Sequence, residues 1–454
     1  MITRTLLDVQ NMVNGEGLEE KYQHVEISGV TTDSRNVEND NLFFPLVGDV
    51  FNGHEFVDKA ISNGAKAVIW QKSEKNPPKE VPFILVEDTL VALQALATAY
   101  INELPNLKII GITGSNGKTT TKDMVAAILE TTYKVHKTQG NFNNHIGLPL
   151  TVLSMSEDTE IAVLEMGMSG KGEIELLSEI AHPDVAVITN IGEAHLMDLG
   201  SREGIAEAKL EITKGLKKDG LFIFHGDEPL LQERVPGLSL KTTTFGEASS
   251  NDYYPAKIIQ EPTGTLFEVN KEEYFIPVLG KHNVWNALAA YAVADYYGVE
   301  KDAIKKGFSS MKLTGMRLEL IQAKNGASII NDAYNASPTS MLAAIDLIEN
   351  LKDFDQKIVV LGDMLELGDD EVEYHQQVGR EIKQNNISHI FTYGKLGKEI
   401  AKGAKENQSV DTVHHYDQKD ELIKHLQSIV KEKDIVLVKA SRGMKLEEVV
   451  NSIV

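Results

Sequence analysis

The chain has 454 residues, 42% of them hydrophobic and 25% charged, with a formal net charge of −22. That length suits about three domains, each able to bury a core, and the acidic excess disfavours nonspecific binding to nucleic acid. The absence of cysteine excludes disulfides, thiolate catalysis and zinc–thiolate sites.

Residues 1 to about 84 read as a small α/β unit. Asp40 to Gly48 suggests a strand and turn, Phe56 to Gly64 a helix, and Ala67 to Trp70 a short strand. Lys72 to Pro82 is a charged, proline-bearing connection. Met1 to Gly15 holds Arg4 but no apolar signal core. No run reaches the ~18 apolar residues of a membrane span, so a cytoplasmic monomer without a nucleic-acid partner is expected. Thr31 to Arg35 sets hydroxyls beside an arginine. Ser34 and Arg35 can clamp a pyrophosphate or nucleotide; the plain alternative is a turn held by an Asp–Arg pair.

The middle segment, about 85 to 314, holds the most informative stretch. The apolar run Leu107 to Ile112 reads as a buried strand, and Thr121 to Glu130 as a helix. Between them stand Thr113, Gly114, Ser115, Asn116, Gly117, Lys118, Thr119 and Thr120. Strand, glycine loop and helix make a phosphate cradle. The glycines let backbone N–H groups turn inward, and the helix start adds partial positive charge. Lys118 supplies a full charge, and the Thr119 hydroxyl suits Mg²⁺. The P-loop pattern is not met in full, because Ile112 stands where it has glycine. An ordinary strand-to-helix turn is the bland alternative.

Three more buried strands follow, Ile161 to Met166, Val185 to Asn190 and Leu221 to His225, divided by helical patterns. A mostly parallel sheet is expected. Ligands collect at the carboxyl ends of such strands, where Glu165 and His195 fall. Both suit Mg²⁺ beside a nucleotide. Lys209 lies in a helical stretch and reads as a surface lysine pairing with Glu207 or Glu211. Asn141, Asn143 and Asn144 form an amide cluster that suits a sugar, a peptide or an ordinary polar loop. Asp252 to Leu279 alternates like antiparallel strands, and Val284 to Tyr297 is an alanine-rich helix. Of Asn283 and Asn286, one can cap that helix and the other can reach a purine.

From about 315 to 454 the alternation is regular. Strands at Ser328–Ile330, Ile358–Leu361, His389–Tyr393 and Ile435–Lys439 are divided by helices such as Ser340–Leu351 and Glu371–Gln384. This reads as a Rossmann-like unit. It lacks Gly-x-Gly-x-x-Gly, which disfavours a dinucleotide site.

Taken in order, Thr31–Arg35, the 113–120 loop, Asn141–Pro149, Glu165–Gly167, Asn190–His195, Lys209, His282–Asn286, Arg317 and Asp332 resemble the Mur ligases, which build the peptide of bacterial peptidoglycan precursors. The resemblance spans nearly the whole chain. Asn331 to Met341 and Leu361 to Gly368 resemble members that add D-alanyl-D-alanine to UDP-MurNAc-tripeptide. The Asp-Asn-Pro-x-Arg stretch of diaminopimelate-adding members is absent. The resemblance implies an α/β fold of three domains: UDP-binding (1–84), central ATPase with a mostly parallel sheet (85–314) and C-terminal Rossmann-like (315–454). It implies ATP and two Mg²⁺, held by Gly114 to Thr120 and by Thr119, Glu165 and His195. Lys118, Glu165, His195 and Lys209 would be catalytic, Lys209 as a lysine carbamylated by CO₂ that holds the second Mg²⁺. Asn283 and Asn286 would approach adenine, and Arg317 and Asp332 the ribose and phosphates. Ser34, Arg35, Asn141, Asn143, Asn144 and Asn335 are the expected substrate contacts. Rival readings are a sister ligase, a nucleotide switch and a UDP-sugar binder with a decayed ATPase.

Overall fold

The computed structural model describes all residues except Glu80, Pro262 and Asn385, so part of the 72–82 connection lies outside the described residues. The N-terminal unit has a parallel sheet of Val30–Thr31, Leu42–Phe43, Ala67–Gln71 and Phe83–Val86. The last of these strands runs through residue 84, where the unit was expected to end, and its pairing carries the sheet to Val86. Helix Thr89–Asn102 starts on an Asp88 cap, whose side chain accepts from Leu90 and Val91 N–H. Its buried face, including Leu93, Leu96 and Tyr100, belongs to one core shared by the N-terminal unit and a face of the central sheet. Tyr100 Oη donates to Met155 O at 2.9 Å, and Ile2 N–H to Leu153 O at 2.8 Å. These bonds fasten the two units across that core.

The central sheet is parallel throughout, in the order Lys241–Phe245, Leu221–His225, Val185–Ile188, Lys108–Thr113, Ile161–Glu165, Val135–Lys137. Its inner strands are continuous apolar runs because both faces are covered. Two edge strands, at 135–137 and 241–245, escaped sequence reading. They are short and polar, as edges commonly are. A separate antiparallel sheet of Lys257–Glu261, Gly264–Val269 and Glu272–Ile276 follows.

The C-terminal sheet is ordered Glu319–Gln322, Ser328–Asp332, Ile435–Lys439, Lys357–Gly362, His389–Tyr393, Val413–Tyr416. Only the first pair is antiparallel. Helix Pro338–Asn350 begins two residues before the expected Ser340 because Ser337 and Ser340 form a reciprocal cap with proline at the first position. The helix expected over 371–384 stops at Arg380. No helix among the described residues is long and apolar enough to cross a membrane.

Candidate active site at the phosphate loop

The helix after the glycine loop starts at Lys118, three residues earlier than its sequence suggests. Gly117 caps it at φ 81°, in the left-handed region that glycine adopts without strain. Thr119 and Thr120 therefore lie in the first helical turn, where backbone N–H groups have no partner within the helix. Gly114 is required by space, since a Cβ there would lie 1.9 Å from Thr189 Oγ1.

The loop is held from behind. Thr189 N–H donates to Thr113 O at 3.0 Å, and Ser115 N–H to Asn190 O at 3.1 Å. Asn190 Oδ1 accepts Asn116 N–H at 2.9 Å, and its Nδ2 donates to Asn116 O at 2.8 Å. Gly192 N–H donates to Ser115 Oγ at 2.8 Å. Lys118 Nζ meanwhile donates to Gly114 O at 2.8 Å and Ser115 O at 3.3 Å. Burial lowers its pKa, the Arg317 charge adds to that, and Glu165 opposes it.

Glu165 is 2% exposed and uses both oxygens. Thr119 Oγ1 donates to one at 2.8 Å and Asn143 Nδ2 to the other at 2.9 Å. Hydroxyl and carboxylate oxygens are the donors that Mg²⁺ takes, together with phosphate and water. Among the described residues, no three His, Asp or Glu side chains converge tightly enough to hold a metal ion. Such a site fits a cation that arrives with a nucleotide, not an all-protein cage. His195 begins the short helix Leu196–Leu199 at φ 65°. Its Nδ1 lies 2.9 Å from Glu366 Oε2, yet without hydrogen-bond alignment. The pair is a close polar contact between the central and C-terminal domains. Burial lowers the His195 pKa; Glu366 opposes this, while Lys118 and Lys209 add to it.

Lys209 is not the surface lysine expected. It is 1% exposed, and Nζ has neither hydrogen bond nor ion pair among the described residues. Glu207 pairs instead with Lys171 at 3.0 Å, and Glu211 accepts Gly172 N–H at 2.8 Å. Burial first, and the charge of Lys118 second, push the Lys209 amine well below its usual range.

The remaining expected residues divide. Asn283 and Asn286 do not cap their helix, whose N-cap is Lys281. Asn286 lies behind Gly117 and accepts from Thr121 Oγ1 at 3.3 Å. It donates to Asn283 Oδ1 at 2.9 Å, and Asn283 Nδ2 donates to Leu279 O at 2.8 Å. The Asn141–Asn144 cluster splits: Asn143 serves Glu165, Asn144 Oδ1 accepts Gly147 N–H at 2.8 Å, and Asn141 is exposed. Far from these, Arg35 binds Asp33 through Nε and Nη2 at 2.9 and 2.8 Å. That hydrogen bond pulls the Asp33 pKa down to about 2. Ser34 is buried beside it, its carbonyl accepting from Asn63 at 2.7 Å. An Asp33–Arg35 pair closes the turn there.

Arg317 reaches the loop from the C-terminal side, stacked 4.1 Å over the Tyr334 ring with Nε buried and unbonded. Asp332 is engaged by Lys439 Nζ at 2.6 Å. Asn335 folds back, its Oδ1 accepting Ala336 N–H at 2.9 Å and its carbonyl accepting from Lys439 at 2.9 Å. Sequence reading missed a buried network behind the loop helix. Asp123 faces Lys122 at 3.2 Å and Lys137 at 3.0 Å, and accepts both Thr314 N–H and Thr314 Oγ1 at 2.8 Å. It also missed a second domain contact, Thr339 Oγ1 to Glu193 at 2.7 Å. Neither follows from a motif, since Asp123 meets Thr314 across 191 positions and Thr339 meets Glu193 across 146.

Three family models match the chain: Mur ligase family, catalytic domain over 26–101, Mur ligase middle domain over 112–294, and Mur ligase, glutamate ligase domain over 316–442. The chain is 55% identical over 456 residues to the UDP-N-acetylmuramoyl-tripeptide–D-alanyl-D-alanine ligase of Bacillus subtilis (strain 168), covering all of this chain and 99% of that one. It is 33% identical to the protein of the same name from Escherichia coli (strain K12), covering all of this chain and 99% of that protein. A crystal structure of MurF from Acinetobacter baumannii superposes with a TM-score of 0.90 at 32% identity, covering all of this chain and 99% of that one. MurF ligase from Thermotoga maritima in complex with ADP superposes at 0.83 with 30% identity, covering 94% of this chain and 96% of that one.

Proposed function

The chain belongs to the Mur ligase family, and on that premise we propose that it joins D-alanyl-D-alanine to UDP-MurNAc-tripeptide at the expense of ATP. It is an ATP-dependent ligase forming C–N bonds in peptidoglycan precursor synthesis, and so serves cell-wall growth, shape and division. The likeness to the Bacillus subtilis ligase over its whole length carries this reading. A cytoplasmic, monomeric enzyme is part of it.

The chemistry needs two anions to meet. The terminal carboxylate of the tripeptide attacks the γ-phosphorus, the bond to the β-phosphate oxygen breaks, and ADP leaves. The amine of D-alanyl-D-alanine then attacks the acyl-phosphate carbonyl. The C–N bond forms, phosphate departs with the C–O pair, and the amine loses its proton. The loop from Thr113 to Thr120 cradles the ATP phosphates, with the first-turn N–H groups of Lys118, Thr119 and Thr120 turned to them, and Lys118 exchanges its loop carbonyls for phosphate oxygens. Mg²⁺, where bound, neutralises phosphate charge. Thr119, Glu165 and His195 would hold it, and Asn143 orients Glu165. Arg317 brings further positive charge toward the same point from the next domain. Asn283 and Asn286 are assigned to the adenine side, Asp332 to the ribose, and Ser34, Arg35, Asn141 and Asn144 to the UDP-linked substrate.

Lys209 is proposed to be carbamylated. A buried amine kept neutral can attack CO₂, forming an N–C bond and releasing a proton, and the carbamate then serves a second Mg²⁺. Its lowered pKa and the lack of a partner among the described residues support this. Density for an unmodified amine in a substrate-bound crystal would overturn it. The parent reading is tested by mass spectrometry of the product made from ATP, D-alanyl-D-alanine and UDP-MurNAc-tripeptide carrying lysine or diaminopimelate. A mass gain equal to the dipeptide less water is expected; intact ATP with every reactant present would sink it.

A further inference from the structure

The second substrate is a zwitterion, and its carboxylate takes no part in the reaction. A site that prefers this dipeptide to other amines must read that charge, and a cation is the direct means. The candidate cations at the carboxyl ends of the C-terminal strands differ in commitment. Lys439 is 2% exposed and ion-paired with Asp332. Arg317 is stacked on Tyr334 and directed toward Lys118. Arg442 is exposed and has no carboxylate partner among the described residues. Its guanidinium lies 3.2 Å from Met316 Sδ and 5.4 Å from the centre of the Tyr334 ring.

Arg442 is nonetheless well placed. It follows strand Ile435–Lys439, and the loop that carries it is stapled to the loop that carries Glu366. Ser441 N–H donates to Asp363 O at 3.1 Å, and Leu365 N–H donates to Ser441 Oγ at 2.9 Å. Leu365, 44% exposed, packs against Gly443 and gives the stapled pair an apolar top. Glu366, the next residue, reaches His195 at the phosphate site. One surface therefore runs from a free guanidinium, past an exposed leucine, to a carboxylate at the reacting end. An extended dipeptide is about 7 Å long, a length suited to two neighbouring loops.

We propose that Arg442 binds the carboxylate of the incoming dipeptide and so fixes which amine is ligated, with the alanine methyls against Leu365 and the amino end toward Glu366. This rests on the ligase reading above. Asn335, the residue expected from sequence to meet the dipeptide, has Oδ1 engaged by Ala336 N–H and its carbonyl by Lys439; its side chain carries no charge, so reading the carboxylate's charge falls to Arg442.

The test compares D-alanyl-D-alanine with D-alanyl-D-alaninamide, which lacks the charge, in the wild-type chain and in Arg442→Met and Arg442→Lys. The wild type is expected to favour the acid over the amide by about 30-fold in kcat/KM, the range for a charge-assisted contact. Arg442→Met should raise the KM for the acid by a similar factor, lose the preference and leave the KM for ATP in place. Arg442→Lys should restore part of the preference. A wild type that ligates acid and amide equally well overturns the proposal without any variant. A methionine variant that keeps the preference, or one whose ATP KM moves instead, overturns it too. A wild type that ligates neither amine and leaves ATP intact refutes the ligase reading itself.

Discussion

Two lysines of the central domain are equally buried and differently housed. Lys122 and Lys209 are each 1% exposed. Lys122 Nζ donates to Thr138 O at 2.9 Å and faces Asp123 at 3.2 Å. Its charge is matched, and it braces the helix behind the phosphate loop. Among the described residues Lys209 faces no acceptor, has the Lys118 cation for a neighbour, and is held toward its neutral form by burial. A buried ammonium with a partner is structure; a buried amine without one is stored reactivity. The lysine at the front of the loop, Lys118, stands between them, since its acceptors are loop carbonyls that a phosphate can replace.

The largest effect that can break this contrast is at Lys118. Lys118→Ala should cut ADP formation by at least about 10³-fold while the thermal midpoint stays near the parent's. Tripeptide-dependent phosphate release at parental rate would refute it. Next, Lys209→Ala should lose about 10²–10³-fold in turnover and recover part of it with added short-chain carboxylate. Lys122→Ala should show no such recovery; if both variants recover alike, the distinction fails. In stability, Lys122→Met strips Asp123 of one of its two cations and should cost about 3 kcal/mol in urea unfolding.

The smallest effect is a pH trend at Lys209. Its folded pKa is depressed, so the unfolded chain binds the extra proton between that lowered value and the ordinary lysine value of 10.5. Stability therefore rises with pH across that window, and the penalty of burying the amine is largest below it. In CO₂-free buffer, Lys209→Met should be more stable than the parent by about 1–2 kcal/mol at pH 7. The gap should shrink toward pH 10. A gap that widens with pH has the wrong sign.

The phosphate loop was legible because its chemistry is local: strand, glycines, lysine and helix are contiguous, and Glu165 and His195 follow from where parallel strands end. The burial of Lys209 was not. Its helix alternates charged and small residues like a solvated one, and what encloses it comes from distant segments. Asn141 to Asn144 look alike in sequence, yet only the fold decides that Asn143 turns to Glu165 and Asn144 to a helix start. Arg35 was legible as a pair with Asp33, because two residues of separation suffice for that ring.

Asp123 grips Thr314 twice, and Thr314 stands where the chain passes into its last domain. Any swing of that domain accordingly pivots on a bolt set into the nucleotide helix. Arg317, three residues from the pivot, sweeps a short arc and keeps its distance from Lys118. Glu366 and Thr339 ride the long arm, so His195 and Glu193 are the points where opening is felt first.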